Sequence, residues 1–124
     1  MMPLKYFSPQ EATRRLPLVK KIVRDILDKG KTLRTLLGKN QGEEIPSECY
    51  SLQSEIEELM NELEGLGCYY KDWNFEIGLV DFPAILNGEK VLLCWRSDEP
   101  QLSWYHSLQD GYAGRRPIPK NFLQ

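Results

Sequence analysis

Between residues 19 and 37 apolar side chains return every three to seven positions, at Val19, Val23, Ile26, Leu33 and Leu37, while Lys20, Lys21, Arg24, Asp25 and Asp28 fall largely outside that stripe. This is the period of an amphipathic helix. Its start is marked by Ser8-Pro9-Gln10-Glu11: the serine caps free amides, the proline needs no partner in the first turn, and Glu11 completes a capping box. Pro17 interrupts the pattern. It predicts a short helix ending near Arg15 and a second opening at Pro17, with one kinked helix as the alternative. Gly30 either weakens this helix or lets another backbone approach it. After a surface connection over residues 38–46, where Pro46 opens the next helix, Cys49, Leu52, Ile56, Leu59, Leu63 and Leu66 alternate steps of three and four. They form a heptad seam flanked by Glu55, Glu57, Glu58, Glu62 and Glu64 and closed by Gly65 and Gly67. Two such helices joined by a short loop predict an antiparallel hairpin.

At Cys68 the period changes. Tyr69, Tyr70, Trp73, Phe75, Ile77, Leu79, Val80 and Phe82 have strand composition, and Pro83 reads as a strand end or an edge. Asn87-Gly88 predicts a two-residue hairpin turn between two strands, because both residues tolerate positive φ. In the strand that follows, Val91, Leu93 and Trp95 share one face and Leu92 and Cys94 the other; neither face is polar, so cover on both sides is expected. Beyond Pro100, alternation puts Leu102, Trp104 and His106 on one side. The tail DGYAGRRPIPKNFLQ reads as an irregular wrap.

A chain of 124 residues matches one domain, with a helical part at about 8–66 and a β-rich part at about 68–118. Sixteen Lys and Arg against eighteen Asp and Glu give a net charge of −2, so no global positive field draws nucleic acid or anionic lipid. Nucleic acid is disfavoured as a partner; Arg115, Arg116 and the tyrosines are the one local exception. Three cysteines without CxxC spacing suit a reduced, cytoplasmic setting better than a disulfide framework or a thiolate zinc site. No apolar run is long enough to span a bilayer, and no signal peptide is recognisable.

Candidate chemistry gathers in CWRSDEPQLSWYH, residues 94–106, which holds the single histidine and two of the three tryptophans. His106 with Glu99 and Asp81 is a carboxylate–imidazole set that suits a divalent metal and leaves positions open to water or substrate; Asp110 is a further oxygen candidate. The same residues can act as an acid–base pair, the carboxylate fixing the imidazole tautomer. Cys94, inside LLCW, reads as core packing rather than an activated thiolate. Trp95 and Trp104, with Tyr105 and Tyr112, can frame a ligand whose anionic group meets Arg96, Arg115 or Arg116. For Arg115 and Arg116 the competing expectation is pairing with the acidic helix between Glu55 and Glu64. GYAG lacks the spacing of a phosphate-binding loop.

YFSPQEATRRLP, GLVDFPA and LCWRSDEPQLSWYHSLQDGYAGRRPI together resemble the prokaryotic domain of unknown function 2203 family. The family pattern falls on Asp81, Phe82, Pro83, Cys94, Trp95, Glu99, Trp104, His106, Gly111, Gly114 and Arg115. The resemblance implies a fold and a site position but brings no activity, so catalytic residues remain unassigned.

The expected architecture is α+β, an N-terminal antiparallel helical hairpin packed on a small, mainly antiparallel sheet. The expected function is binding of a small ligand or divalent metal by Trp95, Glu99, Trp104, His106 and Arg115, with His106, Glu99 and Asp81 as metal ligands. Its rival is a non-enzymatic protein that self-associates through the hairpin and keeps those residues as a buried polar network. Exposure at Leu36, Leu37, Met60 and Leu66 bears on that rival.

Overall fold

The computed structural model describes residues 3, 5–39, 42, 44–72 and 74–123. Trp73 and part of the 38–46 connection lie outside the described residues. Helix α1 spans Pro9–Lys39 and helix α2 Ser47–Leu66. The capping box closes α1 as its sequence demands: the Glu11 amide donates to Ser8 Oγ at 3.1 Å, and the Ser8 amide donates to Glu11 Oε1 at 3.0 Å. Pro17 does not end the helix, contrary to the expected break. Ala12, Leu16, Val19, Ile22, Val23 and Ile26 stay in phase across it and are all buried, whereas Pro17 lies on the exposed side. Burial of that continuous stripe outweighs one missing amide whose carbonyl partner is free to meet water. At the far end of α2, Gly67 adopts φ 96° and its amide and that of Cys68 bond back to Glu64 and Leu63, a left-handed cap.

The hairpin lies against five antiparallel strands in sequence order: β1 (Tyr69–Tyr70), β2 (Leu79–Leu86), β3 (Glu89–Arg96), β4 (Trp104–Ser107) and β5 (Arg116–Pro117). The architecture is α+β. Asn87 at φ 53° and Gly88 at φ 79° make the predicted turn and fix the β2–β3 register, with Leu86 opposite Glu89. Val80, Phe82, Ala84, Leu93 and Trp95 form the helix-facing side of the sheet and join Val19, Val23, Ile26, Ile56 and Leu63 in one core. Phe7 meets Phe82 edge-on at 5.5 Å within it. Each such large side chain contributes about 1.5–3 kcal/mol by leaving water.

Two expectations for the β-region need correction. Phe75 and Ile77 are in no strand: residues 71, 72 and 74–78 are irregular, Phe75 takes φ 58° and its ring covers Gly30, where an added Cβ would clash with it. Gly30 therefore admits a close approach, by a side-chain ring where a backbone was expected. Nor does Pro83 end a strand; of its two expected places it takes the other, an edge. It sits inside β2 because β1 reaches only Val80 and Asp81; beyond them that edge is open, and Phe7 closes it by donating its amide to the Pro83 carbonyl at 2.7 Å. Among the described residues no helix is long and apolar enough to cross a membrane.

Candidate functional site

The register that packs Phe82 and Leu93 on the helices sends their neighbours to the opposite face. Asp81 on β2 lies directly across from Cys94 on β3, Cys94 across from Trp104 on β4, and His106, two residues along β4, across from Leu92. Side chains of period two therefore bring Asp81, Cys94 and His106 together on the sheet face turned away from the helices. All three are buried there, at 3%, 1% and 4% exposure. One ligand atom from each lies within 4.8 Å of the others. With metal bonds of about 2.0–2.3 Å, tetrahedral ligand atoms sit about 3.5 Å apart, so small side-chain rotations close this set on a cation.

The imidazole is oriented by its other nitrogen. His106 Nδ1 is 2.8 Å from the Ser107 carbonyl, which can only accept, so Nδ1 carries a hydrogen and donates it. Nε2 then faces Asp81 Oδ1 at 3.3 Å. Were the ring neutral, two lone pairs would meet; a cation between them, either a proton or a metal, removes the conflict. Lys71 Nζ holds the other carboxylate oxygen of Asp81 at 3.3 Å. A carbonyl behind the histidine and an ammonium behind the carboxylate are the outer partners that aim metal ligands. Burial pushes the Cys94 thiol up to about 11, with Asp81 adding to the rise and Arg115 opposing it. The sulfur thus carries a proton at neutral pH unless a metal displaces it.

Glu99, expected beside His106, is engaged elsewhere. Its Oε1 accepts from Arg115 Nη2 at 2.6 Å and from the Arg96 amide at 2.7 Å. Arg115 also donates to the Cys94 carbonyl at 3.0 Å and lies over the rings of Trp104 and Tyr112, 5.1 and 4.9 Å from their centroids. Glu99, Arg115 and Trp104 therefore form a layer beside Cys94 that braces the strand. Although burial works against the Arg115 charge, its neighbours, Glu99 first, then Cys94 and Tyr112, together more than offset it and raise the guanidinium pKa. Trp95 is not in this group: it lies in the helix-side core and donates Nε1 to the Glu99 carbonyl at 2.9 Å. Neither Arg115 nor Arg116 is paired with the acidic helix. Arg116 reaches Asp110 at 3.9 Å on the surface, which also removes Asp110 from the histidine's partners, and Lys29 of α1 pairs with Glu55 instead.

Sequence reasoning missed Cys94 as a cluster member and Lys71 as the partner of Asp81. A signal for Cys94 was present: counting back from the Asn87–Gly88 turn places Asp81 opposite it.

The fold and the buried Asp–Cys–His cluster define an α+β domain whose sheet buries polar side chains, Asp81 and His106, beside a thiol. Residues 5–118 match the family described as Uncharacterized conserved protein (DUF2203), and the chain belongs to that family. No curated protein and no solved structure matches it.

Proposed function

We propose that this chain is a metal-binding domain in which Asp81, Cys94 and His106 hold one divalent cation. Cys94 takes the place first expected of Glu99. The observation that carries the reading is the His106 imidazole, whose Nδ1 hydrogen is committed to Ser107 while Nε2 faces a carboxylate oxygen at 3.3 Å beside a thiol. One thiolate, one imidazole and one carboxylate suit zinc first and cobalt as its spectroscopic substitute. Three protein ligands leave a position for water or a small molecule, the arrangement of reactive rather than purely structural zinc. Arg115, Glu99 and Trp104 support the ligand strand and take no part in coordination. Cobalt titration tests this: thiolate-to-cobalt charge-transfer absorption should appear in wild type and vanish in Cys94→Ser, and its absence from folded wild type counts against the reading.

Self-association is the second reading, with the Asp81–His106 pair as a purely structural contact. It is favoured by a 340 Å³ groove at the loop end of the hairpin, lined by Leu33, Leu37, Ile45, Tyr50, Ile56 and Met60. Leu37, Ile45 and Tyr50 are exposed there, whereas Leu36, Met60 and Leu66 are half-buried. A mass that rises with protein concentration, and falls back to one chain in Tyr50→Glu, is the expected behaviour of a dimer through this groove.

A further inference from the structure

A second cavity, of about 170 Å³, opens on the sheet face that carries the cluster. Its walls are Tyr6, Tyr69, Pro83, Leu92 and Leu108, and Asp81 is where it meets the cluster, since neither Cys94 nor His106 lines it. This volume falls below the roughly 300–1,000 Å³ of sites for drug-sized ligands. Its occupant is therefore a short chain or a single ring.

Charge decides the rest. Among the described residues the lining carries two ionisable groups that are charged at neutral pH, Asp81 and Lys71, and they are paired with each other. A divalent cation would be balanced by the Cys94 thiolate and the Asp81 carboxylate, which leaves the Lys71 ammonium uncompensated at the cavity wall. A second ammonium, Lys90 Nζ, stands 5.4 Å over the ring of Tyr6, and among the described residues no further acid lines the space to answer either one. The Lys71 side chain is 45% exposed and can turn from Asp81 toward a ligand without unpacking anything.

We propose that this cavity seats a small monoanion, a carboxylate on a short aliphatic or single-ring body, with its head between Lys71 and the cation's open position and its body between Tyr69, Pro83 and Leu92. The proposal rests on the metal reading above. Leu108, 55% exposed, forms the outer lip through which such a molecule enters. Asp81 Oδ1, the oxygen that faces His106, is the one placed to meet the metal, and Oδ2 lies on the Lys71 side.

The test is calorimetric titration of benzoate, butyrate and neutral benzamide into the zinc-loaded full chain, with zinc measured by elemental analysis in the same samples. A charge-assisted contact predicts that benzoate binds about tenfold or more tightly than benzamide. Lys71→Met, loaded with zinc and checked for occupancy by the same elemental analysis, should show a smaller preference for benzoate over benzamide, and Leu108→Trp should weaken both acids by obstructing the lip. Equal binding of benzoate and benzamide, or no binding by a chain that holds zinc, overturns the anion seat. A chain that takes up no zinc overturns the reading beneath it and the proposal with it, a failure seen in the metal analysis rather than in the calorimeter.

Discussion

Asp81 and Cys94 are direct neighbours across the β2–β3 ladder, and both point away from the helices into a buried site that His106 completes from β4. Their pairing follows from the turn at Asn87–Gly88, so a slip of one residue in that hairpin would move Asp81 to the helix side and destroy the cluster. One consequence concerns the sulfur. In a Cys49→Ala/Cys68→Ala background Cys94 is the remaining thiol; burial and its raised pKa of about 11 predict slow labelling at neutral pH. Zinc should slow that labelling further, because the metal takes the thiolate and holds the site closed. Labelling unaffected by saturating zinc would remove Cys94 from the ligand set.

Glu11 makes the start of α1 sensitive to acid. The Ser8 amide, and then Lys5 at 3.0 Å, hold its carboxyl down at about 2 against an ordinary value of 4.5. A depressed folded-state pKa contributes stability that is present above the ordinary value and lost as pH falls toward the folded one. Melting curves of wild type and Glu11→Gln should therefore differ most above pH 4.5 and converge toward pH 2. A difference that grows on acidification would contradict the capping role.

Gly30 and Phe75 give a prediction that changes sign. In wild type, Gly30→Ala drives a methyl into the Phe75 ring and should destabilise, since overpacking of about 1–3 kcal/mol exceeds the roughly 1 kcal/mol that alanine gains in a helix. In a Phe75→Ala background the same substitution should stabilise by about 0.5–1 kcal/mol, because only the helix preference is left. Denaturant unfolding of the four proteins in this cycle measures both values. Additive effects would mean that the ring does not cover Gly30.

The Arg115–Glu99 pair is only 11% and 14% exposed, so removing one partner strands a charge. Arg115→Met should cost about 3 kcal/mol, the lower end for a buried pair, since the Arg96 amide still serves Glu99. Adding Glu99→Gln should recover part of that loss. Zinc affinity should change far less than in Asp81→Asn, because neither Arg115 nor Glu99 belongs to the ligand set.

Local chemistry made much of the fold legible. Ser8 with Glu11, Asn87 with Gly88, the glycine after α2 and the alternation of Val91, Leu93 and Trp95 each describe contacts made within a few residues, and each appears as expected. What depended on distant packing was harder to read. The Pro17 break fails because buried Leu16 and Val19 hold the stripe in phase, and strand-like Phe75 leaves the sheet to cover a glycine some forty-five residues earlier. At the site, His106 and Asp81 were visible as residue types, but their meeting is a matter of strand register. Glu99 lies nearer His106 in the chain than Asp81 does, yet the turn after β3 gives it to Arg115. Cys94 looked like core because it is buried in an apolar strand, and burial alone does not say which face holds the polar neighbours.

Metal content is the decisive measurement for the Asp81–Cys94–His106 site. Untagged wild type, purified without chelator, should carry close to one zinc or similar cation per chain by elemental analysis, and His106→Ala should carry none while retaining the wild-type circular dichroism spectrum. Wild type that holds no metal, even after loading with zinc, cobalt, manganese or iron(II) and desalting, would contradict the account; a lower melting temperature in His106→Ala would then identify the Asp81–His106 contact as a structural pair.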